Sequence, residues 1–237
     1  MMIGQKIVVI GGTSGIGLAV ARNAADCGAE VYIGSSNAEK LKLALSSLQD
    51  VRGAVVDVGN EESVARFFSD ILEIDHLVST VGSSHQPAAV AETDLEQAQA
   101  LYKIKFWGQF LIAKHGAKQV QKNGSITLTS GILSARPATS LGILASVNAG
   151  IEALGRTLAL ELAPCRVNTV CPGFIDSGKL WKDLPAEERA TKLREKAASD
   201  LLAARVGLPD DAAKSYLYAI QNPYVTGQTL IVDGSLA

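Results

Sequence analysis

The sequence predicts an α/β fold: a single doubly wound domain in which a seven-stranded parallel sheet is flanked by helices. Short runs rich in β-branched residues alternate with longer segments of helical periodicity along the whole chain of 237 residues. A glycine-rich turn joins the first of these runs to the first helical segment. No linker, repeat or low-complexity tract interrupts the alternation, so we expect one domain over residues 1–237.

Seven segments have the composition of strands. The first, KIVVIGG, is an apolar run that ends in glycines, as a strand buried on both faces does. Parallel neighbours need crossover connections, which are right-handed almost without exception, so helices are expected on both faces of the sheet. The predicted strands occupy residues 6–12, 30–36, 51–60, 74–84, 124–132, 166–173 and 226–235.

Helical segments connect these strands. The first ends near Gly28, a residue type common at helix C-termini, and Asn37 is a favourable N-cap for the second. A long helix is expected over about residues 93–120, and the stretch 140–155, SLGILASVNAGIEALG, begins the helix after the fifth strand. Residues 176–208 form a charged helical excursion before the last strand. The first three helices are predicted at residues 15–29, 37–49 and 61–73.

Composition argues against several classes of partner. A net charge of −2 does not suit a general surface for nucleic acid. No apolar run reaches the roughly 18 residues that a membrane span requires. The three cysteines and three histidines have no metal-ligand spacing, and the cysteines do not form a disulfide framework. We therefore expect no metal, no membrane partner and a reduced, cytoplasmic location.

The glycine-rich turn, IGGTSGIG at residues 10–17, has the pattern of an anion-binding loop. Glycines permit positive φ and let the backbone approach a pyrophosphate, while the following helix directs free N–H groups and a partial positive charge at it. The alternative is that the glycines only make the turn. The candidate phosphate-binding residues are Gly11, Thr13, Ser14, Gly15, Ile16 and Gly17.

Four further segments extend the pattern: DV at residues 57–58, STVG at 79–82, CPGFIDS at 171–177 and TGQTLIVDGS at 226–235. Together with the glycine spacing they resemble the short-chain dehydrogenase/reductase family over nearly the whole chain. The resemblance implies a Rossmann-type domain, a nicotinamide cofactor, a small-molecule substrate and a homodimer or homotetramer. It further implies that the excursion closes over the substrate as a lid; the alternative is a surface helical hairpin.

The resemblance also assigns cofactor contacts. Asp57 and Val58 correspond to the pair that contacts the adenine, and Val81 and Gly82 lie in the segment where the family usually has N-N-A-G. The residues that would line the nicotinamide end are Pro172, Gly173, Ile175 and Ser177.

The end of the second strand decides between the two nicotinamide cofactors. An acidic residue there would bond the ribose diol of NAD and repel a 2′-phosphate. The chain has Ser35, Ser36 and Asn37 instead, whose polar groups do not oppose a phosphate. This favours NADP(H) over NAD(H), although the family's usual arginine is missing; the alternative is that the serines only form a turn or cap.

The family's catalytic set is Asn-Ser-Tyr-Lys, and most of it is absent here. The alignment places Leu144 at the tyrosine position, Asn148 at the lysine position and Lys105 at the asparagine position, which leaves Ser130 alone. A leucine donates no proton, and a neutral amide does not lower a neighbour's pKa as an ammonium does.

A different register does not restore the pair. No tyrosine occurs between Tyr102 and Tyr216, and no lysine occurs between Lys122 and Lys179. Positioned acid catalysis contributes roughly 10²–10⁴ in rate, so ketone reduction by the usual route is strongly impaired.

Four residues are candidates to replace the missing groups. Arg136 and Asp176 follow the fifth and sixth strands at the edge of the sheet where ligands bind, and Lys105 supplies a positive charge. Trp181 is placed to stack on substrate or cofactor. The alternatives are a loop salt bridge between Arg136 and Asp176, a lysine that extends to solvent, and packing for the tryptophan. His85, after the fourth strand, is either a substrate contact or a loop residue.

These observations predict an atypical NADP(H)-dependent reductase of a small organic substrate. Hydride transfer to an iminium, or to an activated C=C or C=O, best suits the loss of the tyrosine. The alternative is a cofactor-binding protein without redox turnover, with either a regulatory role or non-redox cyclisation or isomerisation chemistry.

Overall fold

A computed structural model of the chain describes residues 1–83, 86–178 and 183–235. His85 and Trp181, both candidates from the sequence, lie outside the described residues.

The structure has the predicted seven-stranded sheet, and every neighbouring pair of strands is parallel. The strand order is β3-β2-β1-β4-β5-β6-β7. The chain therefore adds strands on one side of β1 and then returns to add the others on the opposite side. The strands are β1 Lys6–Ile10, β2 Glu30–Ser35, β3 Val51–Val55, β4 Ile74–Ser79, β5 Val120–Thr129, β6 Arg166–Pro172 and β7 Thr229–Val232.

Helices cover both faces of this sheet, and each face has its own apolar core. One core packs Phe68, Leu101 and Ile151 against the sheet, and the other packs Val20 and Tyr216 against its opposite face. The helices are α1 Gly15–Asp26, α2 Ala38–Ser47, α3 Glu61–Ser69, α4 Leu95–Tyr102, α5 Gly108–Gly116, α6 Gly142–Glu161, α7 Ala186–Asp200 and α8 Pro209–Gln221. This two-sided cover confirms the doubly wound, Rossmann-type fold class.

The structure differs from the sequence prediction in two places. The long helix expected at 93–120 is two α-helices joined by a π-helical turn, Lys103–Trp107, and residue 120 already belongs to β5. The helical excursion expected at 176–208 contains α7 within its described residues, 176–178 and 183–208. Helix α8 was not predicted at all. Local signals for it are present, since Pro209 is its first residue and Asp211 accepts the backbone N–H of Leu208 at 2.8 Å. Its apolar side chains pack against α1 and the sheet.

Among the described residues, one helix is long and apolar enough to cross a membrane, which is α6. Its buried residues Val147, Ile151 and Leu158 belong to the core beneath it. Packing against β5 and β6 accounts for the apolar character of this helix.

Candidate active site

A cleft of about 330 Å³ opens at the carboxyl ends of the strands. It lies where the strand order reverses, between β1 and β4, which is where open α/β sheets bind ligands. Thr80 and Thr129 mark its floor at the ends of β4 and β5. The cleft is lined by Ile10, Gly11, Thr13, Ser14, Gly15, Ile16, Gly17, Gly34, Ser35, Ser36, Asn37, Lys40, Val56, Asp57, Val58, Thr80, Val81, Gly82, Ile104, Thr129 and Ser177.

The glycine loop forms one wall and depends on its glycines. Gly11 has φ +88° and Gly15 has φ +52°, conformations that other residues rarely adopt. A Cβ at Gly17 would lie 2.2 Å from the carbonyl oxygen of Gly11 and 2.4 Å from Oγ1 of Thr80. The loop is therefore a backbone cradle that opens at the N-terminus of α1.

The structure brings most of the predicted cofactor residues together. All of them line the cleft except Pro172, Gly173 and Ile175, which lie on the chain beyond it. Gly173 donates from its N–H to Val232 O at 3.0 Å, and Ile175 forms a bridge with Gly207. Ser177 lies next to the glycine loop. A Cβ at Gly15 would lie 3.0 Å from the Cβ of Ser177.

Sequence reasoning missed a cation at the end of β2. Lys40 lines the cleft beside Ser35, Ser36 and Asn37, and its backbone N–H donates to Oδ1 of Asn37 at 2.8 Å. Thr13 lies on the same side, with its Oγ1 3.1 Å from Oγ of Ser35. The predicted N-cap at Asn37 was a signal for this lysine, because it places Lys40 in the first helical turn, over the cleft.

Ser130 lies directly after β5 and is nearly fully buried. Its hydroxyl donates to Oε1 of Glu152 on α6 at 2.9 Å. The hydroxyl of Ser134 donates to the same oxygen at 2.5 Å. Glu152 was not a candidate from the sequence, although it follows Asn148 by one helical turn and so shares its face of α6.

Lys105 contacts the backbone of Ser130. Its Nζ donates to the backbone oxygen of Ser130 at 3.1 Å. The lysine lies in the π-helical turn, where Gly108 N–H bonds Lys103 O across one extra residue. Such turns occur often at functional sites because they re-aim a side chain. Burial of the ammonium lowers the pKa of Lys105 from 10.5 to about 8.

Asn148 and Leu144, the residues aligned with the family's lysine and tyrosine, both lie on α6. Asn148 is buried beside Gly131, and its Oδ1 has no hydrogen-bond partner among the residues that the structure describes. Leu144, one turn earlier on α6, packs against the core. Tyr216 does not take the tyrosine's place, because its hydroxyl is buried 2.7 Å from Oγ1 of Thr129 and burial raises its pKa further.

The salt bridge considered between Arg136 and Asp176 does not form. Arg136 makes an ion pair of 3.4 Å with Asp233, after β7. Asp176 forms an ion pair with Arg189 on α7, and its Oδ1 accepts the N–H of Gly178 at 3.0 Å. Arg136 therefore contacts the segment after β7, whereas Asp176 contacts α7.

Known proteins resemble the chain over almost its whole length. The model of a family described as enoyl-(acyl carrier protein) reductase matches residues 10–236. The short-chain dehydrogenase/reductase ucsE of Acremonium sp. is 34% identical over 250 residues, which cover 97% of this chain and 94% of that protein.

Two solved structures share the fold. A small-chain dehydrogenase in complex with NADPH is 36% identical, with a TM-score of 0.83 over 98% of this chain and 97% of the other. The MalC reductase/Diels-Alderase from Malbranchea aurantiaca is 29% identical, with a TM-score of 0.89 over 99% of this chain and 96% of the other.

Proposed function

Because this chain belongs to the short-chain dehydrogenase/reductase family, we propose that it is an NADP(H)-dependent reductase of a small organic substrate. It lacks the family's tyrosine and lysine, and Lys105 takes over the supply of positive charge and of a proton. The observation that carries the proposal is the contact of the Lys105 ammonium with Ser130.

The cleft suits a dinucleotide. The glycine cradle at the N-terminus of α1 would hold the pyrophosphate, because free N–H groups and the helix dipole favour an anion there. A Cβ at Gly82 would meet no atom within 4 Å, so this wall leaves room for a ligand against the backbone. Asp57 and Val58 would contact the adenine. The segment from Pro172 to Ser177 would hold the nicotinamide end.

The end of β2 supports NADP(H) rather than NAD(H). Ser35 and Ser36 offer hydroxyl groups, and Lys40 offers a cation on the same wall of the cleft. Lysine binds phosphate as a point charge. The small-chain dehydrogenase that resembles this chain was solved with NADPH, which agrees with this choice.

When bound, the cofactor supplies the hydride. Ser130 and Lys105 would orient the substrate at the end of β5, and the ammonium of Lys105 would donate to the oxygen on which charge develops. A pKa of about 8 suits this task, since a general acid works best when its pKa lies near the working pH.

Arg136 and Asp176 belong to the proposed site in supporting roles. Asp176 would hold α7 over the substrate through Arg189, so that residues 176–208 act as a lid. Arg136, 41% exposed in its side chain, would face a polar group of the substrate at the mouth of the site. Trp181 is proposed as a stacking partner from the sequence alone.

Three measurements test the proposal in order. Calorimetric titration with NADPH and NADH is expected to show binding, with NADPH tighter; binding of neither refutes the reductase. A panel of ketones, enones and cyclic iminium ions is then screened for NADPH consumption. Lys105→Met is expected to lower kcat/KM by about 10²-fold while NADPH binding is retained.

A second function is favoured by one comparison. The relative from Malbranchea aurantiaca is described as both a reductase and a Diels-Alderase, so ring formation occurs on a fold of this kind. We propose cyclisation without redox turnover as the alternative. It predicts that NADPH binds, that no member of the panel consumes it, and that a diene substrate is converted at constant NADPH absorbance.

The assembly and location are also proposals. Trp107 and Leu160 are exposed apolar side chains on the helices that cover one face, consistent with a homodimer or homotetramer. We propose a cytoplasmic location, which the three free cysteines suit.

A further inference from the structure

The carboxylate of Glu152 determines what the Ser130 hydroxyl does. Both Ser130 and Ser134 donate to its Oε1, at 2.9 and 2.5 Å. Within the part of the chain that the structure describes, no ion pair of 4 Å or less joins this carboxylate to a lysine, arginine or histidine. Glu152 is thus a half-buried carboxylate held by hydroxyl groups instead of a counter-ion.

A serine hydroxyl has one proton and two lone pairs. A charged acceptor binds a hydroxyl proton more strongly than a neutral carbonyl oxygen does. A substrate oxygen that approaches Ser130 must therefore compete with Glu152 for the only proton on that hydroxyl. As long as the Ser130 hydroxyl donates its proton to Glu152, Ser130 has only lone pairs to offer the substrate.

Lys105, in contrast to the Glu152 carboxylate, is a hydrogen-bond donor. An ammonium carries three donors, and the structure gives this one a single acceptor among the described residues, the backbone oxygen of Ser130. The carboxylate of Glu152 and the ammonium of Lys105 thus both contact Ser130, and the ion pairs of the described residues do not include one between them. Lys105 retains donors for a substrate placed at the end of β5.

We propose that Glu152 is a positioning residue that removes Ser130 from the donor role and leaves Lys105 to donate to the substrate oxygen. This inference rests on the proposed reductase function and deepens it, because it selects the substrate class. An ammonium at the reacting centre favours a neutral carbonyl compound or enone, whose oxygen becomes negative, and opposes a cationic iminium.

The step balances without a further reactant. The carbonyl carbon, or the β-carbon of an enone, accepts the hydride from NADPH, which becomes NADP⁺. The π electrons move to the substrate oxygen, which takes a proton from Lys105. The neutral amine of Lys105 is then reprotonated from solvent.

A double-mutant cycle tests the role of Glu152. The reactants are cyclohexanone and 2-cyclohexenone with NADPH, and the variants are Ser130→Ala, Glu152→Ala and the pair. In the wild-type background Ser130→Ala is expected to lower kcat/KM about threefold. In the Glu152→Ala background, where the hydroxyl is free to donate, the same change is expected to cost about thirtyfold or more. Equal losses in the two backgrounds overturn the proposal.

Two further variants serve as a fallback and as a control for this cycle. Glu152→Gln keeps the shape of the side chain with a weaker, neutral acceptor, and it is expected to shift the Ser130→Ala effect in the same direction if Glu152→Ala does not fold. Glu161→Gln makes the same chemical change at an exposed position of α6, and it is expected to leave the cycle as in the wild type.

A spectroscopic readout is independent of turnover. 4-Nitrophenol absorbs near the visible range as its phenolate and mimics a substrate oxygen that becomes negative. In the NADP⁺ complex, the wild type and Ser130→Ala are expected to favour the bound phenolate, and Lys105→Met is expected to lose this preference. A phenolate band that depends on Ser130 as much as on Lys105 overturns the proposal.

The substrate panel distinguishes failure of the reductase function from failure of the roles assigned to Glu152 and Lys105. Failure to bind NADPH refutes the reductase function itself. Reduction of 3,4-dihydroisoquinolinium but not of the neutral carbonyl compounds leaves a reductase and refutes the role assigned to Glu152 and Lys105.

Discussion

Replacing Lys105 with methionine should make the protein more stable and catalytically poor at the same time. Methionine has similar length, no charge and no need for a partner. The pKa of Lys105 falls from 10.5 to about 8 because its ammonium is buried. At about 1.4 kcal/mol per pH unit, this depression destabilises the folded state by about 3 kcal/mol at neutral pH.

The loss of its hydrogen bond to Ser130 O offsets part of this gain, by about 1 kcal/mol. The net expectation at pH 7 is a gain of about 2 kcal/mol in the free energy of unfolding. For a chain of this length that raises Tm by about 4–8 °C.

The pH dependence has a definite sign. Between pH 8 and 10.5 the unfolded chain binds more protons at this lysine than the folded chain does, so wild-type stability rises with pH in that window. The advantage of Lys105→Met is therefore complete below pH 8 and disappears by about pH 10.5. Urea unfolding at pH 7 and pH 10.5 measures both values. A variant less stable than the wild type at pH 7, or one with the same advantage at both pH values, refutes the reasoning.

Three other predictions follow from the cleft and its surroundings. Gly17→Ala should lower stability by about 1–3 kcal/mol and abolish NADPH binding, since its Cβ would lie 2.2 Å from a backbone oxygen, whereas Gly142→Ala has open space and should not lower Tm in the same thermal scan. Lys40→Ala should weaken NADPH binding about tenfold, with little change in NADH binding. Lys42, exposed on the same helix, gives the calorimetric control as Lys42→Ala. Equal loss of affinity for both cofactors would contradict a 2′-phosphate contact. Asp176→Asn should free α7 from its ion pair, seen as faster hydrogen exchange in that helix and a higher KM, and unchanged exchange would rule out the tether.

Local sequence pattern predicted most of the fold. It succeeded where a backbone conformation or contact accepts only one or two residue types. The turn at the glycine loop was predicted correctly because a Cβ at Gly11, where φ is +88°, or at Gly17 would lie within 3 Å of neighbouring atoms, and glycine avoids both contacts. The N-cap at Asn37 was predicted correctly because its side chain bonds a backbone N–H three residues later. The long helix at 93–120 was wrong, since a π-helical turn leaves no clear signal in the hydrophobic period.

The sequence by itself determined the α/β class, the glycine cradle and the absence of the Tyr-Lys pair from α6, because each depends on residue identity or short-range spacing. Only the tertiary structure decided which groups surround Ser130. Lys105 and Glu152 are separated from it by 25 and 22 residues and reach it from different helices. Hydrogen bonds of this kind follow from how α5, α6 and the π-helical turn pack on β5, and no local pattern encodes that packing. Only the tertiary structure, too, gave Arg136 and Asp176 different partners, Asp233 and Arg189.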